Sequence, residues 1–389
     1  MGEPLRAGII GLGILGSQYA ELLHQHQATQ VVAVADVREE PRERLAAQVG
    51  ARAYADYPEM LCEQALDLVV VATPDPAHRE PVVAALEAGV PHVIQEKPLA
   101  TTLEDAEAIY QAVEKYGARL FVNYANRATP LDIATHYCIQ QGLLGRVVYG
   151  EARLDDNISV PTQLWGGRSR EWAAGTSTAH FLLSHVVDLL RWYFAPAEVR
   201  EVYAISQREV LGTTPDVYDA FLTFDSGLKV RVKAEWIKHI DELVEFYQCY
   251  SGSEGTLVFN KRGGFGTAPG WRANVRKETS VDELLAHQEA LRERGANVRA
   301  LFHRPTPTSG TLAAGSAERL PALEFHGLGY GEPMALVRSC LDAIVEGTLT
   351  PKSWAHFGPL PTHVDGLRQT QVVAAIVRSA ETGRAVQVV

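Results

Sequence analysis

The chain is poor in sulfur and has no long apolar runs. Its four cysteines, Cys62, Cys138, Cys249 and Cys340, are scattered through 389 residues. No CxxC pair and no Cys/His spacing appears, which argues against a structural zinc site or any other metal centre. Few, scattered thiols suit a reducing compartment, so the expected location is the cytoplasm. No apolar stretch approaches the ~20 residues that cross a bilayer. The start "MGEPLRAGIIGLG" runs almost at once into a strand, leaving no room for a targeting segment. Positive charge is also in deficit. The 36 Lys and Arg are outnumbered by 47 Asp and Glu, for a net charge of -11. That balance argues against nucleic acid as the main partner, because phosphate binding needs basic surface. No internal repeat is apparent. What remains is an ordinary globular composition, 46% hydrophobic and 21% charged, with length for two or three domains.

The first third carries a dinucleotide pattern. In "RAGIIGLGILGSQYAELLHQH" a short apolar strand runs into Gly11, Gly13 and Gly16 at GxGxxG spacing, and a helix is expected from about Ser17. The first glycine permits the tight turn. The second lets backbone approach a pyrophosphate, and the third lets helix pack on strand. Leu12, Ile14 and Leu15 complete that loop, and the helix N-terminus offers N–H groups to the anion. The next strand, "VVAVAD", ends in Asp36, 20 residues after Gly16, where an acid binds the adenosine ribose hydroxyls. An acid there repels a 2′-phosphate and favours NAD. Val37 and Arg38 follow, and the arginine keeps NADP open.

Strands and helices then alternate through "DLVVVATPDPAH", "EPVVAALEAG", "HVIQ", "EKPLATT", "LEDAEAIYQAVEKYG" and "RLFVNY". The strands read as continuous apolar runs, the mark of a doubly wound parallel sheet with its ligands at the C-terminal strand ends. Thr73, Pro74 and His78 sit at one such end, and Glu96 and Lys97 at the next. Thr102 and Asp105 predict a helix cap. By position alone Lys97 reads equally as a cleft lysine or a surface one.

Taken in order, "GIIGLGILG", "VVAVAD", "VVVATPDPAH", "EKPLATT" and "FVNYANR" resemble the glucose–fructose oxidoreductase / inositol dehydrogenase family, written Gfo/Idh/MocA. The resemblance covers the first 127 residues well and resumes at "SHVVDLLRW", "GSEGTLVF" and the C-terminal "DGLRQTQVVAAIVRSAETGRAVQV". It implies a nicotinamide cofactor and a substrate among sugars, cyclitols and their derivatives. It also implies a second domain with an open, mixed, largely antiparallel sheet. The family's lysine falls on Lys97, where it would bind the reacting hydroxyl and the cofactor. Its arginine falls on Arg127, preceded by Asn126. The expected division is a Rossmann domain over 1–124 and a substrate-binding and oligomerisation domain over 125–389.

Beyond Ala128 the alternating rhythm stops. The irregular stretch "DNISVPTQLWGGRSREWAAGTS" carries Trp165, Arg168 and Trp172, residue types that line sugar sites as often as they clasp a core. "LKVRVKAEW" alternates, so Leu228, Val230, Val232, Ala234 and Trp236 should face a core while Lys229, Arg231, Lys233 and Glu235 face solvent. In resembling proteins such a sheet often joins subunits, so a homo-oligomer, dimer or tetramer, is expected. The stretch from about Asn260 to Gly329, including "RPTPTSGTLAAGS", fits the family least.

The chemistry converges on "STAHFLLSHVVDLLRW". Alcohol oxidation sends a hydride to nicotinamide and a proton to a base. A neutral histidine suits the base, and a lysine ammonium suits the developing alkoxide. Family resemblance assigns the histidine to His185, with Asp188 after it and an acid four residues before it. Phe181 stands at that earlier position. His180 is the alternative, about 140° from His185 around an α-helix and placed near the helix start. Three functions stay open: an NAD(P)-dependent oxidoreductase of sugar-like alcohols, a glycosidase that oxidises its sugar transiently with NAD, and a non-catalytic dinucleotide sensor.

Overall fold

The computed structural model describes residues 3–164, 166–263, 270–302, 320–326, 332 and 334–388. Trp165 and the "RPTPTSGTLAAGS" loop lie outside the described residues. Contacts group 1–125, 167–188 and 332–377 into one compact unit, and 126–166, 189–331 and 378–389 into a second. The expected division breaks the chain once, after 124; the contact grouping returns two later segments to the first unit. Side chains account for this. The Tyr124 hydroxyl donates to Gln369 Oε1 at 3.0 Å, and the Thr176 hydroxyl to Asp75 Oδ2 at 3.2 Å.

Among the described residues the first unit holds six strands: β1 (Leu5–Ile10), β2 (Thr29–Ala35), β3 (Arg52–Tyr54), β4 (Leu68–Val71), β5 (His92–Glu96) and β6 (Arg119–Asn123). All pairings are parallel, in the order β3-β2-β1-β4-β5-β6. Burial on both faces explains why these strands read as continuous apolar runs; Leu68, Val69, Val70 and Val71 are all fully buried. The order reverses between β1 and β4, and at such a switch point the loops diverge to leave a crevice. The helix after β1 spans Ile14–Gln25, starting three residues before Ser17, so Gly16 lies inside it. Thr102 caps the helix Leu103–Tyr116, accepting from the Asp105 N–H at 3.1 Å as its spacing predicts.

The second unit is built on a sheet of ten strands among the described residues. They are β7 (Val147–Asn157), β8 (Val199–Gln207), β9 (Val217–Phe224), β10 (Lys229–Lys238), β11 (Val244–Gly252), β12 (Thr256–Gly263), β13 (Arg272–Asn274), β14 (Val298–Leu301), β15 (Ala322–Phe325) and β16 (Val386–Gln387). Only β7 and β10 pair in parallel; the other pairings are antiparallel. The alternation in β10 reads true on its apolar side, where Val230, Val232, Ala234 and Trp236 are fully buried. The opposite face is less solvated than expected. There Asp155 is fully buried, with the Lys233 and Lys238 ammonium groups 3.2 and 3.0 Å from its carboxylate. Burial raises its pKa, opposed by the two lysines. Long charged side chains roof this face with their stems, which a pattern of apolar and polar letters does not register. Further along it Tyr149, Tyr203, Ile205 and Phe221 are exposed.

Candidate active site

The three glycines of the first loop face different surroundings. Gly11 has φ +88°, and a Cβ on it would stand 2.6 Å from the Ala72 carbonyl oxygen. The turn after β1 therefore passes directly against the chain leaving β4. A Cβ on Gly16 would stand 1.9 Å from the Gly11 carbonyl oxygen, so helix and turn are in contact there. A Cβ on Gly13 would meet nothing within 4 Å. Gly13 thus keeps open the space into which the helix N-terminus presents its N–H groups, the arrangement a pyrophosphate requires. Ile14, Leu15 and Val37 form an apolar rim, 54%, 40% and 88% exposed, whereas Leu12 is buried.

Asp36 is anchored from both sides. Its carboxylate accepts from the Leu12 N–H at 2.7 Å, the Arg38 N–H at 2.8 Å and the Arg38 guanidinium at 2.9 and 2.8 Å. Burial alone would raise its pKa, but the Arg38 side chain and the two N–H groups together hold it below the ordinary value. Arg38 is thereby engaged by Asp36. Glycine cradle and anchored acid fit a dinucleotide whose ribose hydroxyls reach the carboxylate.

Behind the strand ends lies a buried support. His78 is fully buried, its ring nitrogens 2.8 Å from the Pro98 carbonyl and 3.0 Å from the Thr73 carbonyl. Glu96 is buried too; it accepts from the Tyr19 hydroxyl at 2.6 Å, the Asn123 amide at 2.9 Å and the Lys97 N–H at 3.2 Å. Both were predicted to meet the cofactor. Their side chains instead turn inward: His78 ties the loops after β4 and β5 together, and Glu96 ties the end of β5 to the first helix and to the end of β6. Thr73 is partly buried and Pro74 exposed at the rim.

Lys97 follows β5 and is 7% exposed. Its ammonium donates to the Phe181 carbonyl at 3.3 Å and sits 3.9 Å from the centroid of the Phe181 ring. Residues Ala179–Leu183 form a π-helical turn that runs into the α-helix Ser184–Phe194. The α-helical angle between His180 and His185 therefore does not carry across this junction. Wider i→i+5 turns of this kind recur at functional sites. His180 Nδ1 lies 2.8 Å from the Ser177 hydroxyl, and its ring meets the Thr101 backbone. Burial lowers its pKa, opposed by the Asp75 charge and the Thr101 bond. His185 is partly buried in the first turn of the α-helix.

The sequence placed the two histidines in the second domain, whereas the segment 167–188 belongs to the same compact unit as Lys97. Asp75, Thr101, Trp172 and Ser177 join this constellation with no spacing in the sequence to announce them. Asn126 and Arg127 belong to the second unit. There Arg127 is buried, with its guanidinium 5.9 Å from the centroid of the Trp192 ring. Burial and the Arg127 charge push the nearby His136 down to about 4. Arg168 is exposed in a short turn, Gly166–Arg168.

Comparison with known proteins converges on one family. Residues 5–124 match the model of the oxidoreductase family with an NAD-binding Rossmann fold, and residues 134–258 match the GFO/IDH/MocA C-terminal domain. Levoglucosan dehydrogenase of Pseudarthrobacter phenanthrenivorans is 27% identical over 97% of this chain and 96% of its own. An inositol 2-dehydrogenase of Acidothermus cellulolyticus is 32% identical over 57% of this chain and 62% of its own. Among solved structures, the WlbA dehydrogenase of Bordetella pertussis, in complex with NADH and UDP-GlcNAcA, shares the fold. Its TM-score is 0.74 at 22% identity, over 100% of this chain and 98% of that one. The chain belongs to the Gfo/Idh/MocA family of NAD-binding oxidoreductases.

Proposed function

We propose that this chain oxidises a secondary alcohol of a sugar or cyclitol, or reduces the matching ketone, with NAD. The observation that carries the reading is Lys97: a buried ammonium at the C-terminal end of β5, in the sheet whose β1 end bears the glycine loop. Relatives named as dehydrogenases of levoglucosan and inositol support a polyhydroxylated ring as substrate.

When bound, NAD supplies the hydride acceptor. The loop Gly11–Gly16 holds the pyrophosphate through backbone N–H groups. Asp36 takes the adenosine ribose hydroxyls, and its charge disfavours a 2′-phosphate. Because Arg38 is tied to Asp36, the reading is NAD rather than NADP. Ile14, Leu15, Val37, Thr73 and Pro74 line the cofactor's path. At the substrate, the Lys97 ammonium stabilises the alkoxide as charge develops. His185 takes the hydroxyl proton, the O–H bond breaking as an N–H bond forms. His180, its Nδ1 held 2.8 Å from the Ser177 hydroxyl, is the alternative base. Asn126, Arg127, Arg168 and Trp165 are assigned to the substrate end.

Coarser features follow the same reading. The domain boundary is placed at 124/125. Self-association uses the sheet face bearing Tyr149, Tyr203, Ile205 and Phe221. The free cysteines suit the cytoplasm.

Polyols, sugars and glycosides are screened with NAD, reading cofactor reduction and product together. Accumulation of reduced cofactor with one substrate class is expected, and Lys97→Ala should abolish it. Near wild-type turnover in that variant removes Lys97 from the mechanism. A melting temperature unmoved by NAD or NADP sinks the dinucleotide reading.

A further inference from the structure

The Lys97 ammonium is held by an aromatic ring and a carbonyl. The Phe181 ring centroid lies 3.9 Å away and the Phe181 carbonyl oxygen 3.3 Å away. That residue is itself braced. Trp172 meets its ring edge-on, with centroids 4.8 Å apart and planes at 82°. The Ser184 hydroxyl donates to the same carbonyl at 3.1 Å, and the Phe181 N–H donates to the Ser177 carbonyl at 2.9 Å. A ring fixed on its edge and along its main chain offers the ammonium one face at one place.

We propose that Phe181 is a positioning residue for Lys97, its ring face and carbonyl together aiming the ammonium at the substrate oxygen. The inference rests on the role given to Lys97 above. A ring face attracts a cation through its quadrupole, most strongly when both partners are withdrawn from water. It carries no net charge and accepts no proton. It therefore fixes the direction of the ammonium without neutralising it, leaving the full charge for the developing alkoxide. A carboxylate at this position would hold Lys97 as firmly but would compensate that charge.

The test replaces Phe181 with mono-, di- and trifluorophenylalanine. Each fluorine drains the ring face while changing its volume little. With the substrate found in the cofactor-reduction screen, kcat/KM should fall stepwise, roughly thirtyfold across the series. The melting temperature and the Kd for NAD should stay constant. Phe181→Tyr should keep most of the activity. A flat series overturns the proposal, because a ring that only fills space is indifferent to fluorination. An independent readout needs no substrate. Lysine ε-proton resonances, with Lys97 assigned through Lys97→Met, should show Lys97 shifted upfield by the ring current, and Phe181→Leu should erase that shift. An unshifted Lys97 signal also overturns the proposal. A screen without turnover sinks the functional reading instead, and the ring-current result then decides the Lys97–Phe181 contact separately.

Discussion

Replacing Gly13 and Gly16 by alanine, one at a time, separates folding from cofactor binding at a single loop. At Gly13 the backbone has φ −74°, ordinary for any residue, and an added Cβ meets nothing within 4 Å. The free protein should barely notice. Removing glycine's freedom from the unfolded chain stabilises by about 0.4–1 kcal/mol. Alanine's poorer fit at a helix N-cap offsets a similar amount. The melting temperature should therefore stay within about 3 °C of the parent. The methyl group would, however, occupy the space assigned to the pyrophosphate. Pushing a charged acceptor out of hydrogen-bond range costs about 1.5–3 kcal/mol, which weakens NAD roughly 10- to 100-fold. Gly16 behaves oppositely. Its Cβ would stand 1.9 Å from the Gly11 carbonyl oxygen and 2.9 Å from the carbonyl carbon, both backbone atoms. The helix must shift, at a cost of about 1–3 kcal/mol or more, before any cofactor is added. Scanning calorimetry of the free proteins and titration calorimetry with NAD read the two effects independently. NAD bound by Gly13→Ala as tightly as by the parent, or a Gly16→Ala protein melting with the parent, would refute the reasoning.

Two further outcomes are specific. His185→Ala should lose more turnover than His180→Ala, measured under saturating NAD; the reverse order removes His185 from the role of base. His136 is held at about 4 against an ordinary 6.5, by burial first and the Arg127 charge second. Between those values the unfolded chain takes a proton that the folded one refuses. Its contribution is therefore fully present above pH 6.5 and drains away as pH falls toward 4, by about 2 kcal/mol at pH 5. His136→Phe keeps a ring against Trp192, where the present stack is 4.0 Å apart and nearly parallel at 7°. Urea midpoints at pH 7 and pH 5 should drop less in that variant; equal drops in both proteins contradict the assignment.

Most of the first domain was legible because its signals are local. Glycine spacing answers to backbone sterics within one turn, the apolar runs answer to burial on both faces, and Asp36 directly follows the strand β2. The helix cap at Thr102 was legible for the same reason, since a cap involves residues three apart. The alternation in β10 disclosed which face is buried, but not that Asp155 lies buried on the other. That depends on Lys233 and Lys238 of β10 reaching across to the carboxylate on the paired strand β7.

Long-range placement stayed hidden. His78 and Glu96 sit at the strand ends where cofactor ligands belong, yet their partners Pro98, Tyr19 and Asn123 come from other elements and draw both side chains inward. His180 and His185 looked like equals in one apolar run. The π-helical turn Ala179–Leu183 separates them, setting His180 Nδ1 2.8 Å from the Ser177 hydroxyl. The missing acid at position 181 was visible in the letters alone. That its place is filled by a ring facing the Lys97 ammonium was not, because Lys97 and Phe181 lie 84 residues apart. Residue types and local spacing declare themselves one chain segment at a time, whereas the direction of a side chain is settled by whatever distant segment packs against it.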